Sequence, residues 1–345
     1  MKLKRIISTP SVLLLAYHLC GCNSGSGGSP EPEVPEVVDL LPWTEGYIDS
    51  PFMVPDGTTI YFLHSPVVML DLLNDPSTAA QEVDNLPGHQ GVGTDLWWNT
   101  DLYVSTKNPD GTWTFPENLG PAINTSNLEC CVWVDDTQTT MIFTREGDLD
   151  AFTDGRNYIS TRADAASPWS DPVELPGEIG SYGTTGYHDL HMTPTGTLIG
   201  WSELSPTTDG AMFESIQTGE NSWAQPIQMP AVLQDPALID SQPWLSADER
   251  TIYYNRRDPA TGETQLMTSI FDGSEWEAPL SVSLQNFVDA NGAQVWGEPS
   301  FNVADEMLFV RFDTSVTGWK AELMTAPKLI GNAIGTPTAL RFEAR

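Results

Sequence analysis

The sequence predicts an all-β fold, a five-bladed β-propeller built of four-stranded antiparallel blades. Two observations lead to this prediction. A Trp-x-x-Pro-x-x-apolar cassette recurs along the chain, and its four tryptophans are 56, 54 and 53 residues apart. Between cassettes, each repeat contains short segments with the alternating apolar pattern of β-strands. A period of this length is typical of proteins whose repeats bury their apolar faces against neighbouring repeats.

The cassette is complete four times and degenerate once. The complete copies begin at Trp113, Trp169, Trp223 and Trp276, and Ile334-Gly-Thr-Pro337-Thr-Ala-Leu340 is the degenerate one. Because large aromatic side chains dominate the packing of small sheets, we expect these tryptophans to be structural.

Each repeat also contains a hairpin of two short strands with Asp-Gly or a similar pair at its tip. The hairpins run over residues 50–63, 131–144, 189–201, 242–254 and 299–310. A third strand follows at residues 101–105, 157–160, 211–215, 265–269 and 321–325. With the cassette, these segments supply four strands in each of five repeats.

The Pro–apolar–Ser–x–Asp-Gly–x–Leu-Tyr-Phe hairpin followed by Trp-x-x-Pro resembles the WD40-like, Pro-Asp-Gly-containing repeats of TolB-type β-propellers. The resemblance covers about residues 46–345. It implies the propeller fold and says little about activity, because binding modules, scaffolds and hydrolases all use this architecture.

The N-terminal segment has the composition of a secretory signal. Basic residues precede an apolar stretch that ends in Leu19-Cys20-Gly21-Cys22, which predicts a signal peptide over residues 1–21. Leu-x-Gly-Cys resembles the bacterial lipobox, which implies lipidation of Cys22 and, with Asn23 next to it, an outer-membrane lipoprotein. The alternative is an ordinary cleaved signal peptide, which would leave a soluble periplasmic protein.

Residues 22–42 are rich in Gly, Ser, Pro and Glu, a composition that predicts a flexible tether. We assign residues 43–345 to the propeller, as one large and monomeric domain. The protein is therefore expected at the bacterial cell envelope, in contact with the membrane through its lipid anchor only.

The chain is strongly acidic, with a formal charge of −32 that becomes −35 when residues 1–21 are removed. Such a charge repels phosphate groups, so nucleic acid is excluded as a partner. It favours cations, although a well-solvated acidic surface explains the same composition.

Blade 1 carries a long insertion between its second strand, which ends near His64, and its third strand, which starts near Asp101. The insertion contains three candidate ligand-binding residues, His89, Trp97 and Trp98. Long loops in compact domains are usually functional or disordered, and adjacent tryptophans argue against disorder. A ligand lid and a plug that closes the channel are both open interpretations.

A polar or acidic group precedes the first strand of every repeat. These candidate ligand-binding groups are Asp49, Glu129, the pair His188 and Asp189, Asp240 and Glu298. Because first strands line the axis of a propeller, we expect the groups to converge around one mouth of its channel. A structural alternative is that the carboxylates accept backbone N–H bonds from a neighbouring blade.

Two kinds of chemistry suit a ring of carboxylates. Calcium prefers an oxygen cage, for which Glu129, Asp189, Asp240 and Glu298 are the candidates. Five-bladed glycosidases of the arabinanase and sucrose-active type place catalytic carboxylates at the starts of their innermost strands, and similarity to them would make Asp49, Glu129 and Glu298 catalytic.

Cys130 and Cys131 belong to the same region. In an oxidising envelope adjacent cysteines suggest a vicinal disulfide, which requires a strained turn because neighbouring side chains of a strand point apart. The alternative is that the two cysteines serve only as small buried apolar residues.

The sequence supports two functional hypotheses. The first is an envelope-anchored binding or scaffold module that holds a protein or a glycan at its axial face. The second is a carbohydrate-active hydrolase that uses the axial carboxylates. We favour the first, because the repeat explains nearly all of these residues without catalysis.

Overall fold

A computed structural model describes the fold from Tyr47 to Glu343. Within this range, some residues lie outside the described part, namely 66–81, 84–96, 99, 126, 146–154, 182–185, 203–209, 285–295, 314–319 and 330–332. The predicted signal peptide, the tether and Cys22 lie outside it as well. So does His89, and of Trp97 and Trp98 only the backbone is described.

The predicted five-bladed propeller is confirmed. Five antiparallel sheets each contain four strands in sequence order. Blade 1 comprises Tyr47–Met53, Thr59–Ser65, Asp101–Thr106 and Glu117–Asn118, and blade 2 comprises Glu129–Val134, Thr140–Arg145, Arg156–Thr161 and Val173–Glu174. Blade 3 comprises His188–Met192, Leu198–Ser202, Ala211–Ser215 and Ile227–Gln228. Blade 4 comprises Ile239–Leu245, Thr251–Arg257, Thr264–Ile270 and Leu280–Ser281, and blade 5 comprises Trp296–Phe301, Glu306–Asp313, Lys320–Pro327 and Thr338–Ala339.

Smaller elements complete the described fold. Three two-stranded sheets pair Glu82–Val83 with Trp97–Trp98, Gln217–Gly219 with Ser222–Trp223, and Ser283–Leu284 with Ala333–Ile334. Two 3-10 helices span Gly177–Gly180 and Ala231–Leu233. None of the helices in the described segments is long and apolar enough to cross a membrane.

The cassette forms the outer edge of each blade. Its proline directly precedes the fourth strand, which is two residues long in every blade. Proline cannot donate a ladder hydrogen bond, and a short edge strand offers little template for pairing with another chain. Trp113 and Trp169 are buried, whereas Trp223 and Trp276 are half-buried against the core.

The ring closes where blade 5 meets blade 1. Val303 N donates to Pro55 O at 2.7 Å between the two hairpins. On the outside, Trp113 N donates to Arg341 O at 2.7 Å, and the ring of Phe342 lies 5.8 Å from that of Phe62. Phe342 is buried in a cluster that includes Trp113, so the last described residues complete the core of the first blade.

Candidate functional site

Every first strand is interrupted by a β-bulge at the same place. In each blade the register with the second strand shifts by one residue, between Asp49 and Phe52 in blade 1 for example. The residue after the last regular pair has a positive φ of 50° to 56° in all five blades. We call these the bulge residues, and they are Ser50, Cys131, Asp189, Gln242 and Glu298.

Left-handed backbone is unfavourable for residues other than glycine, so five copies around one axis identify a constrained region. A bulge redirects a side chain that a regular strand would place on the other face. Here all five bulge residues line one narrow axial cavity with a volume of about 60 Å³. We call this cavity the neck.

Next to the neck lies a wider cavity of about 680 Å³, which we call the funnel, and the two cavities share lining residues. The funnel lies at the hairpin face, where the first and second strands of each blade are joined. In blades 1 to 4 the residue two positions after the bulge residue lines both cavities, and these residues are Phe52, Trp133, His191 and Trp244. Tyr253 and Phe301 extend the aromatic wall, with their rings stacked 4.1 Å apart.

Carboxylates surround the wide end of the funnel. Asp135, Asp136, Asp248 and Asp305 line it from the hairpin turns of three blades. Lys328 also lines it, and its Nζ lies 3.2 Å from Asp305 Oδ1. The edge of the funnel is therefore acidic, in keeping with the charge of the whole chain.

The structure divides the predicted ring of polar groups into two sets. Asp49, Asp189 and Glu298 lie close enough to interact electrostatically beside the neck. Glu129 and Asp240 occupy a different strand position, one residue before the last regular pair ahead of the bulge.

Glu129 and Asp240 make matching contacts in blades 2 and 4. Glu129 pairs with Arg145 at 2.8 Å, and Asp240 pairs with Arg256 at 2.7 Å. Each carboxylate also accepts a backbone N–H from the loop that leads out of the preceding blade. Burial raises the pKa of Glu129 to about 7, against the opposing effects of Thr125 and Arg145. These contacts support the structural alternative for both residues.

The carboxyl groups beside the neck hold protons unusually tightly. Asp49 is 1% exposed and accepts a hydrogen bond from the Tyr47 hydroxyl. Burial raises the pKa of Asp49 to about 7. Burial and the charges of Asp49 and Asp189 raise the pKa of Glu298 well above its ordinary value. Asp49 and Glu298 therefore retain at least one proton between them near neutral pH.

Hydrogen bonds with neighbouring side chains fix the orientation of three bulge residues. Asp189 Oδ2 accepts from Trp201 Nε1 at 2.5 Å. Gln242 donates from Nε2 to Glu298 Oε1 at 3.2 Å, and its own Oε1 accepts from the Asn255 amide. Side chains held in this way form a preorganised polar floor beneath the funnel.

The histidines of blade 3 have packing roles. His188 is buried and stacks on Trp201 with ring centroids 4.6 Å apart. His191 Nε2 accepts from Leu245 N at 3.2 Å, and burial lowers the pKa of His191 to about 3, so the ring is neutral. Among the described residues, no group of three or more His, Cys, Asp or Glu side chains is arranged to hold a metal ion.

Cys130 and Cys131 are both buried, with their sulfur atoms 3.0 Å apart and the thiols free. Cys131 is the bulge residue of blade 2, with φ of 56°. Its left-handed backbone is the strained turn that a vicinal disulfide requires.

Sequence reasoning missed two parts of this site. Ser50 and Gln242 were overlooked as members of the axial ring, and Phe52, Trp133 and Trp244 as its aromatic wall. A signal was present, since the bulge residue precedes proline in three repeats, as Ser50-Pro51, Gln242-Pro243 and Glu298-Pro299. An aromatic residue or histidine stands two positions after it in four repeats.

A second groove of about 710 Å³ lies between blades 3 and 4 on the outside of the ring. Its lining includes Ile199, Met229, Phe271 and Trp276, together with Glu214 and Glu249. This groove combines an apolar floor with acidic edges, but it lacks the converging bulge residues of the axis.

No known protein family matches the sequence, and no curated protein matches it. Solved structures are similar in fold. TolB from Acinetobacter baumannii is 12% identical with a TM-score of 0.44, and the match covers 85% of this chain and 57% of that one. This chain therefore spans little more than half the length of that TolB.

Glycoside hydrolases are also among the similar structures. An endo-arabinase from Bacteroides thetaiotaomicron is 9% identical with a TM-score of 0.48, and the match covers 85% of this chain and 98% of that one. A GH43 β-xylosidase/α-arabinofuranosidase from a compost metagenome, solved with xylotriose in a calcium-free form, is 11% identical with a TM-score of 0.50. That match covers 88% of this chain and 98% of the enzyme. At 11% identity the likeness to the GH43 enzyme shows a shared fold and no shared activity.

Proposed function

We propose that this chain is a binding module that holds a positively charged segment of a partner polypeptide in its axial funnel. The observation that carries this proposal is the funnel itself, an open cavity of about 680 Å³ with aromatic walls. Its volume lies in the range of ligand pockets. Partner side chains that enter it bury apolar surface against the rings of Phe52, Trp133 and Trp244.

Charge decides between a polypeptide and a glycan as the ligand. The funnel is edged by Asp135, Asp136, Asp248 and Asp305, and the chain has a formal charge of −32. A basic segment gains attraction and a faster encounter from this field, whereas a neutral sugar gains neither. The same field disfavours acidic partners.

The small volume of the neck disfavours a hydrolase whose glycan enters from the hairpin face. Glycoside hydrolysis needs two carboxyl groups on either side of the scissile bond. Glu298 lines the neck and Asp49 lies beside it, and the volume of the neck is about 60 Å³, against about 680 Å³ for the funnel. A sugar ring in the funnel cannot pass through this space to lie between them.

A glycoside hydrolase that works from the opposite mouth is the second candidate function. One observation favours it, the protonated carboxyl pair formed by Asp49 and Glu298. A general acid must hold its proton near the working pH, and a raised pKa meets this need. Glu298 would be the acid in such an enzyme.

We also propose that the module works at the bacterial cell envelope as an outer-membrane lipoprotein with Pro-Asp-Gly repeats. Lipidated Cys22 would anchor it, and the tether of residues 22–42 would separate the propeller from the membrane. Calcium is not required by this proposal, because the acidic groups of the neck suit any cation that fits.

Tryptophan fluorescence tests the proposed function, since Trp133 and Trp244 line the funnel. The purified chain is titrated with a capped basic peptide, a capped acidic peptide, and xylo- and arabino-oligosaccharides, with and without calcium. We expect saturable quenching by the basic peptide alone. Trp244→Ala should weaken that binding about tenfold or more, as expected for an aromatic anchor. Trp276→Ala, outside the funnel, is the matched control and should leave it unchanged.

Two outcomes would overturn the proposal. Sugar release that Glu298→Gln abolishes would identify a hydrolase. Saturable binding of an oligosaccharide without cleavage, and none of the basic peptide, would identify a glycan-binding module.

A further inference from the structure

The neck is rich in acceptors and has no positive charge of its own. Its bulge residues contribute two carboxyl groups, a hydroxyl, an amide and a thiol, from Ser50, Cys131, Asp189, Gln242 and Glu298. None of the described residues that line the neck is a lysine or an arginine. The nearby cations Arg145 and Arg256 already pair with Glu129 and Asp240.

Two oxygens of the neck, Ser50 Oγ and Glu298 Oε2, are buried and make no hydrogen bond of ordinary geometry to the described residues, and Ser50 is only 5% exposed. The Glu298 carboxyl group also interacts with that of Asp49. Buried polar atoms are almost always satisfied in folded proteins. Because both residues line the cavity, a donor that enters the neck can supply the missing bonds.

The size of the neck selects a compact donor. Its volume is about 60 Å³, against about 680 Å³ for the funnel. An ammonium group is compact and donates in three directions, whereas a planar guanidinium needs a fork of paired acceptors. The remaining methylenes of a lysine would lie in the funnel against Phe52, Trp133 and Trp244, where aromatic rings also attract the cation.

We infer that the neck is a recognition subsite for the ammonium group of a lysine side chain on the partner polypeptide. The incoming ammonium group displaces the proton that Glu298 holds, so that Glu298 and Asp189 balance the charge. Ser50 Oγ accepts one N–H, and Gln242 holds Glu298 in place. This inference rests on the proposed function, since the lysine belongs to the segment that the funnel holds. It adds a side-chain specificity that a wide aromatic funnel lacks by itself.

Matched peptides test the inference by isothermal titration calorimetry on the full chain. One probe is a capped heptapeptide of alanines with a central lysine, and the other carries Nζ-acetyl-lysine instead. The wild-type protein should bind the lysine peptide about tenfold or more tightly than the acetylated one. Glu298→Gln should lower the affinity for the lysine peptide to about that for the acetylated one. Glu277→Gln, an exposed change on blade 4, is the control and should keep the preference.

Each outcome separates the inference from the proposed function. Equal binding of both peptides by the wild-type protein overturns the ammonium subsite and leaves the funnel as a polypeptide site. A preference that persists in Glu298→Gln also overturns it. Binding of neither peptide overturns both proposals. Ser50→Ala keeps the test valid if Glu298→Gln fails to fold, because it should reduce the preference without removing a charge.

Discussion

The acidic residues near the starts of the first strands make two different kinds of contact in this propeller. Glu129 and Asp240 are bound by arginines on the neighbouring strand and by backbone N–H groups, so they hold the loops between blades. Asp49 and Glu298 have no such arginine beside them in the described structure and interact with each other instead. The partner on the second strand therefore decides which contacts the carboxyl group makes, whereas burial raises the pKa in both sets, to about 7 for Glu129 and for Asp49.

The protonation of Asp49 has a consequence for stability. Its pKa is about 7 in the folded chain and about 4 in the unfolded chain. The native state therefore binds the extra proton, and its stabilising contribution is complete below about pH 4 and lost as the pH rises through about 7. Asp49→Asn, which mimics the protonated acid, should remove this loss.

Urea unfolding of both proteins between pH 4 and pH 8 measures the effect. The free energy of unfolding of the wild-type chain, relative to Asp49→Asn, should fall by about 4 kcal/mol as the pH rises across this range. Asp171→Asn, an exposed acid on the outside of blade 2, should follow the wild-type curve. A difference between wild type and Asp49→Asn that is constant with pH contradicts the assignment.

At the scale of elements, the bulges set side-chain directions that the alternating pattern of the strands does not predict. Alternating apolar residues located the first strands well, since hairpins of five repeats were found within a few residues. A strict two-residue period, however, places His188 and Asp189 on opposite faces and separates Cys130 from Cys131. The left-handed bulge residues break this period. The local signals that accompany them are a following proline in three repeats and an aromatic residue or histidine two positions later in four.

The bulge in blade 2 predicts redox chemistry for Cys130 and Cys131. Their sulfur atoms are 3.0 Å apart, and Cys131 already has left-handed backbone. A small disulfide oxidant should accept the two hydrogens of the thiols and leave one bond between the sulfurs. Mass spectrometry of the peptide that contains both residues should show the loss of two hydrogens, reversed by a thiol reductant.

Cys130→Ser and Cys131→Ser are the controls for this reaction, because each leaves a single thiol that cannot close the pair. Mixed disulfides with the oxidant on both cysteines of the wild-type chain, with no loss of two hydrogens, would show that the pair does not close.

The fourth strands show how far a motif can predict packing. The cassette prolines correctly located the outer edge of every blade, and Trp113 and Trp169 are buried as expected. Trp223 and Trp276, at the same position of their cassettes, are only half-buried. A period in the sequence therefore predicts the position of a residue in its blade better than its burial.

At the scale of the whole molecule, the repeat predicts the propeller architecture. The acidic groups at the starts of the first strands predict a site around one mouth of the channel, and two of them, Asp189 and Glu298, line the neck. The funnel of the described structure lies at the other end, where aromatic residues after each bulge form its walls. In a sequence, aromatic residues of a strand are interpreted as core residues. Only the closure of the five blades shows that these residues surround an axial cavity.

The lipid anchor is a prediction about the whole molecule that lies outside the described residues. Cys22→Ser should move the protein from the detergent phase to the aqueous phase in a detergent partition assay. The melting temperature of the propeller should not change, because residues 22–42 have the composition of a flexible tether. Recovery of the mutant in the detergent phase contradicts the assignment of Cys22.

The central claim is that a ligand cation lies in the neck, at the end of a funnel on the hairpin face. A crystal structure of the chain with the lysine heptapeptide tests it most directly. The predicted result is a lysine Nζ within hydrogen-bond distance, about 3 Å, of Glu298 and Ser50, with its methylenes against Trp133 and Trp244. Peptide density in the groove between blades 3 and 4, with the neck holding only water, would contradict the claim.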